Sequence, residues 1–189
     1  MPIPSPIRRR LVALRDGLDG RLHPRRRVSA GERLAALDVE SVLFVCLGNV
    51  CRSPYGERVF AARAGDGLRV ASAGFIGPGR PPPDSARRVA GERGVRHDDH
   101  RSQLVTPEML AGADAIFFFD RYNLARLRRA AGVRPERLFW LGDFDSEWAG
   151  RRAIPDPWGK PEEEFQRVFA RIERCVAEVW EVLGGGLTP

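Results

Sequence analysis

Two cysteines lie five residues apart in the stretch FVCLGNVCRSPYG, and an arginine, a serine and a proline follow the second one directly. Such a pair can bind a metal ion, form a disulfide, or belong to a loop in which one sulfur reacts and the other supports it. The chain has only 3 cysteines, so no second pair can complete a tetrahedral metal site, and the number is too small for a disulfide scaffold. The sequence therefore favours a reactive loop over residues 46–53, with Cys46 as the reacting sulfur.

The 46–53 loop has the composition of an oxyanion site. An apolar strand leads into it and a helix is expected just after it, so backbone N–H groups and the positive end of the helix can surround an anion. Arg52 supplies a planar fork for two oxygens, and the Ser53 hydroxyl can donate a hydrogen bond to the sulfur. A thiolate below a bound phosphate is a nucleophile aimed at phosphorus. The other residues expected to contact the anion are Leu47, Gly48, Asn49, Val50 and Cys51, of which Gly48 and Asn49 tolerate the left-handed backbone that wrapping requires.

The string Cys-Leu-Gly-Asn-Val-Cys-Arg-Ser-Pro resembles the signature of the low-molecular-weight protein tyrosine phosphatases. The resemblance runs from Val42 to near the C-terminus. It recurs in four further segments: SAG at 72–74, PPPD at 81–84, DRYNL at 120–124 and IPDPWG at 154–159. The family's fold and chemistry are therefore expected of this chain.

The resemblance implies hydrolysis of phosphotyrosine through a cysteinyl-phosphate intermediate, without metal or cofactor. Cys46 would be the nucleophile and Arg52 the phosphate clamp. Asp156, whose backbone is confined by the prolines on either side of it, would be the general acid and later the general base. Trp158 stands where the family usually has tyrosine, and a flat aromatic side chain there can stack on a phenyl ring.

Several neighbouring functions are less well supported. Arsenate reductases of similar fold need further cysteines, and only Cys175, on a predicted helix, remains. Protein-arginine phosphatases that resemble the family have threonine where this chain has Val50. A non-enzymatic phosphate-binding module would be expected to lack Cys46 or Asp156, and no glycine-rich nucleotide motif follows the first strand. The segments around 72–84 and 154–165 look most like bacterial phosphatases that act on tyrosine kinases of exopolysaccharide assembly, so the expected partner is a phosphotyrosine protein such as a bacterial tyrosine kinase.

Four assignments stay open at the level of sequence. Cys51 is either a redox guard that forms a reversible disulfide with Cys46, or a helix-start cysteine without chemistry. Asp120 either hydrogen-bonds the 46–53 loop or caps the following helix. Phe75 and Ile76 are expected to form a wall opposite Trp158. The HDDH segment at 97–100 is interpreted as a solvated loop.

The elements that must position these residues follow from the alternation of short apolar runs and amphipathic segments. This pattern predicts an α/β fold, doubly wound, with a four-stranded parallel sheet and helices on both faces. Ligands in such sheets bind at the carboxyl ends of the strands, which is where Cys46 lies. The predicted strands are 41–45, 68–74, 113–119 and 137–141, and the predicted helices are 54–64, 84–93, 121–132 and 161–183.

Residues 1–39 are predicted to be a basic, partly helical extension that precedes a phosphatase domain at 40–189. The net charge of +6 is concentrated there, since the extension holds nine arginines against four acidic residues. Its clusters at 8–10 and 25–27 are of the type that contacts anionic lipid, nucleic acid or an acidic partner, although a solvated extension is the plainer interpretation. The remainder is nearly neutral, so no nucleic acid is expected as a partner. Without a leader or a long apolar run, a cytoplasmic location is expected.

Overall fold

The computed structural model describes the backbone of residues 6–184 and the side chains of residues 19–184. Four strands form one sheet in the order β2-β1-β3-β4, and all three strand pairs are parallel. The predicted α/β fold class is confirmed. The strands are β1 (Ser41–Cys46), β2 (Arg69–Gly74), β3 (Ala115–Phe118) and β4 (Leu138–Trp140).

Six α-helices accompany the sheet in the described part of the chain, and short 3-10 turns at 65–67, 135–137 and 141–144 complete it. The predicted helices are present, but the one expected over 121–132 ends at Leu127 and continues as turns. The short helix at 107–112 was not predicted. The helices are α1 (Pro6–Ala35), α2 (Arg52–Ala64), α3 (Asp84–Glu92), α4 (Pro107–Gly112), α5 (Arg121–Leu127) and α6 (Glu162–Val182).

β1 is buried on both faces, which explains its unbroken apolar sequence. Val42 and Phe44 belong to the core formed with α2, α3 and α6, whereas Leu43 and Val45 belong to the core formed with α4 and α5. Successive side chains of a strand point to opposite faces, so one strand supplies both cores. Helices therefore cover both faces of the sheet, as predicted.

α6 supplies the largest apolar face over the sheet. Its buried positions recur at the spacing of an amphipathic helix, and the predicted assignment of Cys175 to the core is confirmed. Burial raises the pKa of the Cys175 thiol, which keeps it protonated and unreactive. The buried apolar residues of α6 are Phe165, Val168, Phe169, Ile172, Cys175, Val176 and Val179.

The C-terminal half of α1 is part of the core rather than free in solvent. Ala30 and Leu34 are buried in the core that contains α6. His23 Nε2 donates a hydrogen bond to the backbone oxygen of Asp145, at 2.9 Å, and its ring lies 5.0 Å from that of Trp148. The extension thus packs against the segment that leads towards Asp156.

The arginine cluster at 25–27 is largely neutralised within the protein. Arg26 pairs with Asp19, at 2.8 Å, and Arg27 pairs with Glu178 on α6. Two of the three arginines of this cluster are therefore matched, and the side chains of the 8–10 cluster lie outside the described residues. None of the helices over residues 6–184 combines the length and apolar character that crossing a membrane requires.

Candidate active site

Cys46 is the last residue of β1 and lies where the strand order reverses. β1 pairs with β2 on one side and with β3 on the other. The chain therefore continues to one side of β1 for β2 and to the opposite side for β3. The 46–53 loop follows at once, and α2 begins at Arg52. The structure therefore places the predicted reactive loop between a central strand and a helix N-terminus.

The loop wraps back onto the Cys46 sulfur. Asn49 has a positive φ of 50°, a conformation that asparagine tolerates better than most residues. The Asn49 backbone N–H donates to Cys46 Sγ at 3.3 Å, and Ser53 Oγ donates to the same sulfur at 3.1 Å. The sulfur accepts both bonds, so the loop directs two hydrogen-bond donors at the Cys46 sulfur.

The Asn49 side chain holds the loop in this shape. Its Nδ2 donates to Ser53 Oγ at 3.0 Å and to Ser72 Oγ at 2.8 Å, and its Oδ1 accepts from the Gln103 backbone N–H at 2.8 Å. The Asn49 residue is fully buried. The Asn49 side chain therefore supports the loop from behind, and its amide is bonded to Ser53, Ser72 and Gln103.

The HDDH segment is not a solvated loop, and that interpretation is wrong. His97 and His100 are only 1% and 8% exposed. His100 Nε2 donates to the Asn49 backbone oxygen at 2.7 Å, and the two imidazoles stack with centroids 5.9 Å apart. The polar sequence concealed a pair of histidines that buttress the loop.

The buried His97 predicts acid sensitivity. Burial, followed by the effect of His100, lowers the pKa of His97 to about 4. Between about pH 6.5 and about pH 4 the unfolded chain binds a proton at His97 and the folded chain does not. The free energy of unfolding therefore falls as the pH drops through this range, by about 3 kcal/mol in total. His97→Leu should flatten the dependence of unfolding free energy on pH in this range by about one proton, measured by denaturant titration. An unchanged slope would contradict the assignment.

Arg52 lies beneath the loop, 1% exposed. Its NH1 donates to Asp120 Oδ2 at 2.7 Å and to the Ile154 backbone oxygen at 3.1 Å, and its NH2 donates to Asp156 Oδ2 at 2.8 Å. Burial opposes the charge on this guanidinium, but Cys46, Asp156 and Asp120 together raise the Arg52 pKa. One arginine thus joins the two carboxylates of the site, Asp120 and Asp156.

Asp120 fulfils both roles that the sequence left open. Its Oδ2 accepts from Arg52, and its Oδ1 accepts from the Asn123 backbone N–H at 2.8 Å, which caps α5. The cap fixes the carboxylate at the end of β3, so Asp120 can orient the Arg52 guanidinium from a rigid position.

A cleft of about 230 Å³ opens above Cys46. Asp156 and Trp158 lie on one side, and the Trp158 backbone N–H donates to Asp156 Oδ1 at 3.3 Å. Ile76 lines the cleft as predicted, whereas Phe75 does not and faces a neighbouring groove. The lining comprises Cys46, Leu47, Gly48, Val50, Cys51, Ile76, Arg80, Asp156 and Trp158.

Cys51 lines the same cleft but differs from Cys46 in its environment. Burial raises the pKa of the Cys51 thiol, and the charge of Cys46 raises it further. Cys51 is therefore the weaker nucleophile of the two. Both are free thiols here, and the protective disulfide stays a prediction.

Arg80 is a cleft residue that sequence reasoning missed. Its NH2 donates to the backbone oxygens of Gly48, at 2.9 Å, and Ile76, at 3.0 Å, while Nε donates to Gly77 at 2.8 Å. The guanidinium ties the 74–80 segment to the loop and adds positive charge to the cleft. In the sequence Arg80 stands alone in a segment of glycine and proline. Such a segment has no apolar periodicity from which the position of a side chain could be predicted.

The segment that carries Asp156 is anchored by a buried ion pair that the sequence also concealed. Asp145 is fully buried and accepts from Arg171 Nε at 2.7 Å. Arg171 also donates to the backbone oxygens of Arg151, at 2.7 Å, and Ala153, at 2.9 Å. Because the same guanidinium holds the carboxylate and the chain just before Asp156, the position of Asp156 is fixed from α6. A charged residue on the apolar face of α6 was the available signal.

Gly74 allows β2 to approach the loop closely. A Cβ at this position would lie 2.8 Å from the Asn49 backbone nitrogen and 2.9 Å from the Leu47 oxygen. Gly74→Ala should therefore displace the loop and weaken inhibition by inorganic phosphate about tenfold or more, a loss of about 1.4 kcal/mol. Gly91→Ala is the matched control, since a Cβ there meets nothing within 4 Å. Equal inhibition constants for both variants would contradict the close approach.

The comparisons with known proteins agree with this geometry. The family model for low molecular weight phosphotyrosine protein phosphatase matches residues 41–185. The low molecular weight protein-tyrosine-phosphatase Etp of Escherichia coli (strain K12) is 34% identical over 146 residues, covering 77% of this chain and 95% of Etp. Low molecular weight protein-tyrosine phosphatase A of Mycobacterium tuberculosis (strain H37Rv) is 40% identical over 144 residues, covering 71% of this chain and 86% of that protein. The solved structure of Vibrio vulnificus Wzb in complex with benzylphosphonate has a TM-score of 0.65 at 30% identity and covers 74% of this chain and 95% of that chain.

The chain belongs to the low molecular weight phosphotyrosine protein phosphatase family. It is a phosphatase by family, and its curated relatives are bacterial, which confirms the resemblance identified from the sequence. The match begins at residue 41, so it excludes the helix α1 that packs beside the Asp156 segment.

Proposed function

We propose that the chain is a protein-tyrosine phosphatase that transfers the phosphoryl group first to Cys46 and then to water. The observation that carries the proposal is that Cys46 and Asp156 line one cleft, while the buried Arg52 guanidinium binds Asp156 from below. Arg52 NH2 lies 2.8 Å from Asp156 Oδ2, and the Cys46 sulfur accepts two hydrogen bonds at the base. Nucleophile, anion clamp and proton donor are thus within reach of one phosphate ester.

In the first step the Cys46 thiolate attacks phosphorus and the bond to the phenolic oxygen breaks. Backbone N–H groups of the loop and the Arg52 fork hold the equatorial oxygens. When the phosphate takes over the Arg52 fork, the Asp156 carboxyl is released from the guanidinium. The Asp156 carboxylic acid then donates its proton to the leaving oxygen, so that tyrosine departs neutral and Asp156 is left as a carboxylate.

In the second step water attacks the phosphorus of the cysteinyl-phosphate. Asp156, now a carboxylate, accepts the proton of the water, and the bond between sulfur and phosphorus breaks to release phosphate. Ser53 Oγ, 3.1 Å from the sulfur, donates a hydrogen bond to the departing thiolate. Cys46 and Asp156 return to their starting states, and no cofactor is consumed.

The cleft walls favour an aryl ester. Trp158 is 53% exposed and Ile76 is 41% exposed, so both present apolar surface to a ring that stands above the sulfur. The related Wzb of Vibrio vulnificus is known in complex with benzylphosphonate. That ligand joins an aromatic ring to a phosphonate, as an aryl phosphate joins a ring to a phosphate. The proposed physiological substrate is a tyrosine-phosphorylated protein, with a bacterial tyrosine kinase as the first candidate.

A panel of substrates tests the function. We expect hydrolysis of a phosphotyrosine peptide with kcat/KM at least about a hundredfold above that of the same peptide with phosphoserine or phosphoarginine, since neither places a ring between Trp158 and Ile76. Arsenate reduction coupled to a thiol donor is the second assay. Preference for phosphoarginine, or arsenate reduction without phosphotyrosine hydrolysis, would replace this proposal with one of those alternatives.

A further inference from the structure

A groove of about 700 Å³ lies beside the cleft, between α4, α5 and the segment after β2. Its apolar lining includes Phe75, Leu104 and Leu110, and two arginines, Arg126 and Arg129, line it as well. No acidic side chain contributes to the lining within the described part of the chain. The groove is thus apolar at its floor and positively charged along one side.

The groove adjoins the 46–53 loop directly. Gly74 pairs with Cys46 across the sheet, and the Phe75 backbone N–H donates to the Leu47 oxygen at 2.8 Å. Phe75 lines the groove, whereas Ile76, the next residue in the bend after β2, lines the cleft. The segment 74–76 is therefore a shared wall, with the cleft on one side and the groove on the other.

The floor of the groove is held rigidly against this wall. The Gly74 backbone N–H donates to the Gln103 oxygen at 2.9 Å, and the Val105 N–H donates to the Gly74 oxygen at 2.7 Å. This bridge places Leu104, which is 44% exposed, beside the end of β2. An extended chain that passes over the wall meets an ordered apolar surface.

The charge of the groove is available to a ligand. Arg126 stacks over the rings of Phe75, at 5.6 Å, and Tyr122, at 5.2 Å, and it donates to the Tyr122 hydroxyl at 2.9 Å. Neither Arg126 nor Arg129 forms a salt bridge with a carboxylate of residues 19–184, and both are exposed. The stacking fixes Arg126 in place and leaves its charge unmatched, which suits an acidic partner.

We propose that this groove binds acidic and bulky apolar residues that flank the phosphotyrosine of a protein substrate. Because the cleft and the groove share the 74–76 wall and an extended peptide advances only about 3.3 Å per residue, the residues that reach the groove are those that closely flank the phosphotyrosine. The inference rests on the proposed function and defines which phosphotyrosine proteins the chain prefers: those with aspartate or glutamate near the modified tyrosine.

The test compares two phosphotyrosine peptides that differ only in flanking residues, glutamates in one and glutamines in the other. For the unmodified chain, kcat/KM should be about tenfold higher for the glutamate peptide at low ionic strength, the size expected for two exposed ion pairs, and this ratio should shrink with added salt. In the double variant Arg126→Gln/Arg129→Gln the ratio should fall to about 1, mainly through KM. Phenyl phosphate, which does not reach the groove, should be hydrolysed at an unchanged rate.

The matched control is Arg69→Gln/Arg128→Gln, which removes the same charge from two exposed arginines that do not line the groove. It should keep the tenfold ratio. Charge reversal in Arg126→Glu/Arg129→Glu should make a lysine-flanked peptide the better substrate. Two results would overturn the groove proposal while leaving the proposed function intact. One is a glutamate-to-glutamine kcat/KM ratio that stays near ten in Arg126→Gln/Arg129→Gln. The other is a ratio that falls equally in the Arg69→Gln/Arg128→Gln control. If no phosphotyrosine peptide is hydrolysed although phenyl phosphate is, the groove proposal fails together with the protein substrate.

Discussion

Cys46→Ser is expected to lower kcat for aryl phosphates by about four orders of magnitude or more, the largest effect of any single substitution in the chain. A serine hydroxyl must lose its proton before it can attack phosphorus. The groups that contact the Cys46 sulfur are the Asn49 N–H and the Ser53 hydroxyl, and both are donors. As donors they can stabilise negative charge on the attacking atom, but they cannot remove a proton from serine. Steady-state hydrolysis of phenyl phosphate measures the loss.

Two comparisons make this result specific to Cys46. Cys51→Ser should keep most of the activity, because the raised pKa of the Cys51 thiol makes it a poor nucleophile. Cys46→Ser should still bind inorganic phosphate, since the loop N–H groups and Arg52 remain. Activity of Cys46→Ser within tenfold of the unmodified chain would remove Cys46 from its role, and loss of phosphate binding would indicate a damaged loop.

Asp156→Asn should slow the release of poor leaving groups far more than that of good ones. Phenol departs as a strong base unless it receives a proton, so phenyl phosphate hydrolysis should fall by about 10² to 10³. p-Nitrophenolate is stable without a proton, so its release should fall much less. Asparagine keeps the size of the side chain and an oxygen that can accept from Arg52. The measurement is single-turnover release of the phenol with protein in excess over substrate, which reports the first step alone.

Asp120→Asn is the matched control for Asp156. Asp120 accepts from the same guanidinium, at 2.7 Å compared with 2.8 Å, but it does not line the cleft. Its loss should disturb the Arg52 position and slow both substrates by similar factors. If Asp156→Asn also slowed both equally, it would act through Arg52 and the proton donor would be another group.

The position of the 46–53 loop in the fold was predictable because the sequence that places it is local. The 46–53 loop lies between a strand and a helix that are each recognisable from their apolar pattern, so Cys46 and Arg52 are positioned by neighbours in the chain. Asp156 was identified by resemblance to the family, and the structure brings it to Arg52 across 104 residues of sequence. The two open alternatives for Asp120 were both correct, because a carboxylate has two oxygens and each found a different donor.

The missed features depend on contacts between distant segments. His97 is buried because α2 and α6 pack against it through Tyr55 and Phe169, and His100 in turn stacks on His97. The polar letters HDDH do not indicate that packing. Arg171 contacts Asp145 and the chain before Asp156 only once α6 has docked on the sheet. The helical period of α1 was visible in the sequence, but its attachment required Asp145, Trp148 and the core of α6 to be in place.

The most direct test of the central claim is to trap the phosphoryl group on the protein during turnover. Asp156→Asn with p-nitrophenyl phosphate is the suitable combination, because the first step needs no acid and the second step lacks its base, so the intermediate should accumulate. After acid quench and proteolysis, mass spectrometry with fragmentation locates the phosphoryl group. The account predicts that it is on Cys46. A phosphoryl group on Cys51 or any other residue, or steady hydrolysis without a covalent adduct, would contradict the account.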